Sequence, residues 1–556
     1  MNLLAEELKR YGESDFYPFH MPGHKRKEMG SPVSRVYPLD ITEIDGFDNL
    51  HHAEGILKEA QERAGKLYHS EKTYFLVNGS TCGLLTAISA VAGRGSRILV
   101  ARNCHKAVYH GIMLNHLQPE YLFTELIEAY GISGGISTKQ VERSLQELAQ
   151  RENIAEKELP SMVCAVLVTS PSYDGILSDV RGICEAAHHY GIPVIVDQAH
   201  GAHFGFHRKL PESAVTEGAD LVIHSVHKML PAPTQTALLH VNGKLVDPEL
   251  VQKYLAVYET SSPSYLLMAG IDSCMAYLEK EGEAPFERIL KYRQRFTERC
   301  RDLKHIRIYP ADMTERSGEG EEAGLVMDEA VCRRQEPFRF LISVRGSSCS
   351  GSFLMEQLRR NYHLELEMAA YDYVIALLSV MDDGEGFERL ADALWEIDLE
   401  IERQMQETGK NPAKQKPASV SIFYQQYKPK QSCRMEEVFR AETEEVLLID
   451  SDRRTAADFV MLYPPGIPVL VPGEEIDKTL ICMIREYLEQ GFDLQGITHQ
   501  KDMENDGSHY KIRCVKEESR RSQNEKNKNY LHDRSRKRER GEIKGADAGR
   551  NECSQI

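Results

Sequence analysis

Two short apolar runs, each ending in a polar cluster, decide the fold of this chain. The first is Ile192-Pro-Val-Ile-Val196, followed by Asp197, and the second is Leu221-Val-Ile223, followed by His224-Ser-Val-His-Lys228. Continuous apolar runs of this kind are typical of parallel strands that helices cover on both faces. Similar runs occur elsewhere, at Tyr74–Val77, Ile98–Val100, Val163–Val168 and Thr236–Val241. We therefore predict an α/β fold with a mostly parallel sheet in the large domain.

The polar residues after these runs predict a ligand site, because open α/β sheets bind ligands beyond the carboxyl ends of their strands. Burial would lower the pKa of the Lys228 amine, and a neutral amine can form a Schiff base with an aldehyde cofactor. A buried Asp197 would need a cation, such as a protonated pyridine nitrogen. Taken singly, a surface lysine and a metal- or sugar-binding aspartate are the alternatives. The two residues together, each after an apolar run, are the more specific signal.

The segment Asn78-Gly-Ser-Thr81 lies between a predicted strand and a predicted helix. Gly79 permits a tight turn, and the hydroxyls of Ser80 and Thr81 would join the free N–H groups of the helix start in binding a phosphate. An ordinary Ser/Thr helix cap is the alternative. Two residues beside Lys228 could complete the phosphate shell: Ser225 and His227.

Several histidines also follow predicted strands. His105 could stack on a flat cofactor ring, with a structural histidine as the alternative. His200, His203 and His207 have a spacing that raises the question of a metal site. Gly and Phe residues interrupt the segment, and there is no helical H-E-x-x-H pattern, so we predict no metal.

Seven segments carry these residues: Phe19-His-Met-Pro-Gly-His-Lys25, Asp45-Gly-Phe-Asp-Asn-Leu-His51, Asn78-Gly-Ser-Thr81, Arg102-Asn-Cys-His-Lys106, Thr169-Ser-Pro-Ser-Tyr-Asp-Gly175, Asp197-Gln-Ala-His-Gly-Ala-His203 and Ser225-Val-His-Lys228. Together they resemble the Orn/Lys/Arg decarboxylase family of fold-type I pyridoxal-phosphate enzymes, over about residues 15 to 497. The layout is similar to that of the shorter bacterial biosynthetic arginine decarboxylases. The resemblance departs at Gln198, where family members often carry Glu.

The resemblance implies a role for each candidate residue. Lys228 would hold pyridoxal 5'-phosphate as a Schiff base, Asp197 would pair with the pyridine nitrogen, and His105 would stack on the ring. His200 would contact the phenolic oxygen of the cofactor or the substrate. The implied phosphate shell consists of Ser80, Thr81, Ser225 and His227.

The implied reaction is decarboxylation of a basic amino acid, and L-arginine to agmatine and CO2 is the preferred choice. The alternatives are a lysine or ornithine decarboxylase, an aminotransferase or aldolase on the same fold, and a catalytically silent binding protein that keeps the fold. The resemblance also implies a homodimer or a higher homo-oligomer.

The rest of the chain indicates a division into domains. We predict an N-terminal arm with the cofactor-binding large domain at 1–262, a small α/β domain at 263–406 and a C-terminal decarboxylase domain at 418–498. The polar segment Glu407–Pro417 would be a linker. Residues 499–556 are rich in charge and poor in apolar periodicity, which predicts disorder.

Composition excludes several classes of protein. A formal net charge of −17 argues against a general nucleic-acid binder, which needs a basic face. The sequence contains no apolar run long enough for a membrane span, and its N-terminus does not read as a secretory signal. The 12 cysteines form no C-x-x-C pair, which favours reduced thiols in the cytoplasm.

Overall fold

The computed structural model describes residues 3–309, 331–408, 429–462, 466–489, 491–492, 494–499 and 510–518. The chain forms two compact units, Met1–Lys428 with Pro464–Ile467, and Pro429–Tyr463 with Pro468–Ile556. The boundary predicted near residue 262 lies inside the first unit, and the predicted domains stay predictions. The linker predicted at 407–417 lies outside the described residues from 409 onward.

The first unit is built on a large sheet and a short hairpin. Their strands are β1 (Lys72–Leu76), β2 (Arg97–Ala101), β3 (Gln118–Leu122), β4 (Leu126–Ile127), β5 (Ile132–Ser133), β6 (Val163–Thr169), β7 (Val194–Asp197), β8 (Leu221–Ser225) and β9 (Ala237–Val241). The seven-stranded sheet has the order β1-β9-β8-β7-β6-β2-β3, and β4 pairs with β5. Only β9 runs antiparallel to its neighbours β1 and β8, so the prediction of a mostly parallel sheet is confirmed.

Helices precede, separate and follow these strands. They are α1 (Leu4–Gly12), α2 (Ile56–Tyr68), α3 (Gly79–Ala92), α4 (Lys106–Leu114), α5 (Thr138–Glu152), α6 (Val180–His189), α7 (Val226–Met229) and α8 (Pro248–Tyr258). Three 3-10 helices accompany them, at Pro32–Leu39, Leu50–His52 and Glu156–Ser161. Side-chain caps mark several helix starts: Ser137 and Gln140 form a capping box at α5, and Asp179 caps α6.

The central strands are covered on both faces, as their continuous apolar runs predict. β6, β7 and β8 are buried along almost their whole length. On one face, Val166, Val194 and Val222 share a buried cluster with residues of α5 and α6. On the other face, α3 contributes a nearly continuous set of buried residues. The packed sheet therefore holds the carboxyl ends of neighbouring strands at one edge.

The remaining part of the first unit carries a second, antiparallel sheet. Its elements are α9 (Tyr265–Glu281), α10 (Ala284–Arg299), β10 (Arg307–Ile308), β11 (Arg339–Ser343), α11 (Gly351–Tyr362), β12 (Met368–Ala369), β13 (Tyr373–Leu377) and α12 (Gly384–Thr408). The strand order is β10-β11-β13-β12. Its two longer strands, β11 and β13, pair along five residues each.

The second unit contains two three-stranded sheets. Its elements are α13 (Met435–Val438), β14 (Thr443–Leu447), a 3-10 helix (Leu448–Asp450), β15 (Val460–Leu462), β16 (Ile467–Leu470), α14 (Lys478–Glu489), β17 (Leu494–Gln495), β18 (Ile497–His499) and β19 (Tyr510–Val515). The sheet orders are β14-β19-β18 and β16-β15-β17.

The strand β19 corrects one prediction. Residues 499–556 were expected to be disordered, yet Tyr510–Val515 pairs with β14 and β18. Within it, Ile512 and Cys514 are buried while Arg513 is exposed, which is the alternation of a half-buried strand. The strand has only six residues and lies between charged segments, so the polar composition around it led to the prediction of disorder. The rest of the predicted tail, residues 500–509 and the chain from residue 519 onward, lies outside the described residues.

No helix in the described part of the chain is both long and apolar enough to cross a bilayer.

Candidate active site

A cavity lies beyond the carboxyl ends of the parallel strands in the first unit. Its volume is about 60 Å³, which is below the usual range of small-ligand sites. Five of the predicted site residues line it: Ser80, His105, Asp197, His200 and Lys228. They come from the carboxyl end of β7 and from the loops and helix starts that follow β1, β2, β7 and β8, so the parallel order of these strands brings them together.

Lys228 lies in α7, the short helix that follows β8. Burial lowers the pKa of its amine, and the positive charge of Arg339 acts in the same direction. The Asp197 carboxylate opposes that shift. The Nζ atom is 2.9 Å from Nε2 of His200. The site thus favours a neutral lysine amine that is held by a hydrogen bond.

Asp197 is the last residue of β7, and its side chain is only 3% exposed. Burial raises the pKa of its carboxyl group, and the Lys228 charge partly offsets this effect. Oδ1 accepts the backbone N–H of Ala199 at 3.2 Å, which orients the carboxylate. A cation at this position would gain from the low dielectric and from a fixed partner.

His105 caps α4 by accepting the backbone N–H of Ala107 on Nδ1 at 3.2 Å. When the ring is neutral, its proton is therefore on Nε2. Burial lowers the pKa of His105 to about 4, and the charges of Lys228 and Lys106 add to the effect. The ring is neutral near pH 7 and lines the cavity.

Of the four residues predicted to bind the phosphate, only Ser80 is among the described residues that line the cavity. Gly79, with a φ of +75°, starts α3 in a conformation that L-residues rarely adopt, and the Asn78 side chain does not cap the helix. Ser80 lines the cavity, whereas Thr81 is exposed. Ser225 and His227 are not among the described residues that line it. The Ser225 Oγ atom is buried without a hydrogen-bond partner, and His227 donates from Nδ1 to the Thr236 carbonyl at 2.8 Å.

A buried arginine that sequence reasoning missed also reaches the site. Arg339, the first residue of β11, donates from one terminal nitrogen to Nδ1 of His200 at 2.9 Å. Its other terminal nitrogen donates to the carbonyls of Ser172, at 3.0 Å, and Tyr173. Arg339 is fully buried, 139 positions from His200 in the sequence. No local pattern predicts it beyond a charge at the start of an apolar strand.

Three other lining residues lie in the family-like segments but had no predicted role: Asn103, Thr169 and Tyr173. The Asn103 Oδ1 and Thr169 Oγ1 atoms are buried without hydrogen-bond partners. Unpaired buried polar atoms in a cavity indicate contacts with a polar ligand. The sequence could have marked these residues as candidates for the site, because they lie at or just after the ends of β2 and β6.

Two family models match the sequence. The Orn/Lys/Arg decarboxylase major domain matches residues 3–319, and the C-terminal domain of the same family matches residues 413–516. The chain belongs to the Orn/Lys/Arg decarboxylase family. It is an amino acid decarboxylase with the fold-type I architecture, as the sequence motifs predicted.

Curated relatives of similar length support this membership. The chain is 30% identical to an arginine decarboxylase of Bacillus subtilis over 517 residues, which cover 92% of this chain and 97% of the relative. It is 31% identical to an arginine decarboxylase of Bacillus anthracis, with 89% and 94% covered. The constitutive lysine decarboxylase of Escherichia coli is more distant, at 24% identity.

Solved structures of the family share the fold. The E. coli constitutive lysine decarboxylase has a TM-score of 0.73 at 20% identity, with 92% of this chain and 82% of that chain covered. The Francisella novicida lysine decarboxylase has a TM-score of 0.72 at 22% identity, with 92% and 81% covered.

Gln198 stands where family members often carry Glu. Its side chain points away from the decarboxylase cavity. Its Oε1 atom accepts the backbone N–H of Ala214 at 3.0 Å and lies 2.8 Å from Nε2 of His224. Nδ1 of His224 is in turn 3.0 Å from Nε2 of His240. Gln198 therefore serves a buried histidine pair rather than the candidate catalytic residues.

The other histidines of this segment have carboxylate partners. Nε2 of His203 lies 3.0 Å from Glu336, and Nε2 of His207 lies 3.0 Å from Glu287. Among the described residues, no group of three or more potential metal ligands converges.

The buried histidine pair predicts acid sensitivity. Burial keeps the pKa of His224 well below its usual value and lowers that of His240 to about 3. Both rings are neutral when folded but take up protons below about pH 6.5 when unfolded, so stability falls as the pH drops below that value. At about pH 5 each ring would lower the free energy of unfolding by about 2 kcal/mol.

Thermal unfolding at about pH 7.5 and pH 5 checks this expectation. His240→Gln should lose part of the difference in Tm between the two pH values, whereas His52→Gln, at an exposed position, should retain it all. Equal pH dependence in the wild type and His240→Gln would contradict the assignment.

Proposed function

We propose that this decarboxylase converts L-arginine to agmatine and CO2 with pyridoxal 5'-phosphate as its cofactor. The observation that carries the proposal is the pair formed by Lys228 and Asp197, a half-buried amine and a buried carboxylate that line one cavity. A nucleophilic amine and a carboxylate that needs a cation are what an aldehyde with a pyridine ring requires.

The polar groups around the cavity fit this cofactor. Lys228 would hold its aldehyde carbon and Asp197 its ring nitrogen, with His105 against the ring. Ser80 and the uncapped start of α3 suit the phosphate, and the unpaired hydroxyl of Ser225 would gain a partner there. When bound, the cofactor supplies an electron-withdrawing ring that accepts the electron pair of the breaking carboxylate bond. The roles of Thr81 and His227 in the phosphate shell remain part of the proposal.

The protein side chains would orient the substrate and manage protons. Asp197 keeps a positive charge on the facing nitrogen, because the buried carboxylate is stabilised by a cation. Lys228 is the proposed proton donor to the α-carbon once CO2 has left, after its free amine has taken up the proton that the ammonium group of the substrate gives up, since its Nζ atom faces the cavity.

A carboxylate near Lys228 supports a basic substrate. The Tyr173 hydroxyl, at the cavity wall, donates to Oε1 of Glu367 at 2.7 Å. The charge of Glu367 also acts on Lys228, whose pKa it raises. A guanidinium or ammonium group would find a partner there. Arginine is preferred over lysine because the relatives named arginine decarboxylase are 30–32% identical, whereas those named lysine decarboxylase are 23–24% identical.

The test is CO2 release by the holoenzyme from arginine, lysine and ornithine in separate reactions. Agmatine should form at the highest kcat/KM. Transfer of the amino group to a 2-oxo acid without CO2 would reject decarboxylation by this chain, and preference for lysine would reject the arginine assignment.

Glu367→Gln is expected to raise KM for the basic substrate by about 10- to 100-fold, the value of a lost hydrogen bond to a charged group. The matched control is Glu365→Gln, two positions away and also exposed, which should leave KM unchanged. Equal KM values for the two variants would argue against Glu367 as the substrate's partner.

We further propose a cytoplasmic homodimer. Every cysteine in the described part of the chain is a free thiol, which suits a reducing compartment. The N-terminal arm exposes several large apolar side chains, which a second subunit could cover: Phe16, Phe19, Met29 and Val33. Sedimentation of the purified chain as a monomer would overturn the dimer.

A further inference from the structure

A line of hydrogen bonds and charges runs from the cavity into the protein interior. Nζ of Lys228 meets Nε2 of His200 at 2.9 Å, and Nδ1 of His200 meets a terminal nitrogen of Arg339 at 2.9 Å. Behind Arg339, its Nε lies 3.5 Å from Oε1 of Glu336. His200 is 6% exposed, and Arg339 and Glu336 are fully buried. The groups therefore interact with little screening by water.

Arg339 determines which atoms of His200 and Lys228 donate and which accept in these hydrogen bonds. A guanidinium has only donors, so Nδ1 of His200 must accept from Arg339. A protonated imidazole has no acceptor, and a neutral ring that accepts on Nδ1 must carry its proton on Nε2. Nε2 then donates to Nζ of Lys228. An ammonium group cannot accept a hydrogen bond, so the amine must be the free base.

We propose that Arg339 is a positioning residue which imposes the Nε2–H tautomer on His200 and thereby holds Lys228 as an unprotonated amine. The proposal rests on the proposed role of Lys228 as the cofactor-binding lysine. It adds a residue from the antiparallel sheet to a site otherwise built at the edge of the parallel sheet, and it assigns that residue an action through His200.

The position of Arg339 suits this role. Two backbone carbonyls, of Ser172 and Tyr173, hold one side of the guanidinium, and the Glu336 carboxylate compensates its charge. Glu336 is itself held by the backbone N–H of Phe338 at 2.7 Å. A guanidinium fixed in this way presents its remaining N–H groups in one direction, toward Nδ1 of His200. Burial and the nearby cations lower the pKa of His200, and burial lowers the pKa of Lys228 in spite of the opposing Asp197 carboxylate, which is consistent with two neutral groups.

The first test measures how fast the apoenzyme takes up pyridoxal 5'-phosphate across the pH range, followed by the visible absorbance of the lysine-bound cofactor. Only the free amine reacts, so the midpoint of the profile reports the protonation of Lys228. With Arg339→Met, His200 can turn its acceptor to Lys228, and the midpoint should rise by about one pH unit, with uptake about tenfold slower below it. Arg339→Lys keeps a donor and a charge and should restore most of the wild-type profile.

Two comparisons separate action through His200 from a simple loss of charge. Arg293→Met removes another buried cation, one that donates to the Arg339 carbonyl rather than to His200, and should leave the midpoint unchanged. In a His200→Leu background, adding Arg339→Met should produce less than half of its original shift. A full shift in that background, or none in the single variant, would overturn the proposal.

A second measurement needs no change at Arg339. Nitrogen NMR of the apoenzyme labelled with ¹⁵N-histidine, with the His200 signals identified by their loss in His200→Gln, reports the tautomer directly. A protonated Nε2 with a bare Nδ1 is expected, and a protonated Nδ1 would overturn the proposal even if Arg339→Met does not fold. Because no cofactor is present, this result is independent of whether the enzyme decarboxylates arginine, which the product assay decides.

Discussion

Lys228→Ala is expected to abolish arginine decarboxylation, with kcat lower by on the order of 10⁴-fold or more, the scale seen when a covalent catalytic group is removed. The variant lacks the only amine proposed to hold the cofactor and to return a proton to the α-carbon. It should also lose the visible absorbance of the lysine-bound cofactor. Steady-state CO2 release and an absorbance spectrum measure the two effects separately.

The matched control for this variant is Lys209→Ala. Lys209 is an exposed lysine whose Nζ lies 3.6 Å from Glu287, and its loss should leave both the spectrum and the rate unchanged. Retention of more than about a tenth of wild-type activity in Lys228→Ala would remove the basis of the proposed chemistry.

Asp197→Asn is expected to lower kcat by about 10²- to 10³-fold, the cost typical of removing one fixed electrostatic group from an active site. The change keeps the size of the side chain and an oxygen for the Ala199 N–H, so that the main loss is the negative charge. Without it, the ring nitrogen would no longer be held in its protonated form. Cofactor should still bind, because Lys228 remains.

Asp179→Asn provides the comparison for this substitution. Asp179 caps α6 outside the cavity, and Asn is an equally good helix cap, so kcat and Tm should both stay close to wild type. If Asp197→Asn were equally harmless, Asp197 could not be the partner of the ring nitrogen.

The central pair of the site was predictable because its geometry depends on strand order alone. Asp197 and Lys228 follow consecutive apolar runs, which became β7 and β8, and these strands pair in parallel in the sheet. The carboxyl ends of parallel neighbours meet at one edge, so the two side chains were bound to lie close together. Ser80, His105 and His200 follow from the same rule.

The order of the strands along the chain does not predict whether a single side chain is buried or exposed. Thr81 occupies the same helix turn as Ser80 yet points to solvent, because adjacent helical residues differ in direction by about 100°. β19 shows the converse, since a short half-buried strand depends on partners in β14 and β18 that its own composition does not reveal.

From the amino-acid sequence alone follow the α/β fold, the decarboxylase family and the lysine–aspartate pair, because apolar periodicity and local motifs encode them. The contact between Arg339 and His200 required the folded chain, since it joins two sheets across 139 positions. A hydrogen-bonded proton can be assigned to a nitrogen only when both neighbours of the ring are known. Tertiary packing brings these neighbours together, and no spacing in the sequence encodes it.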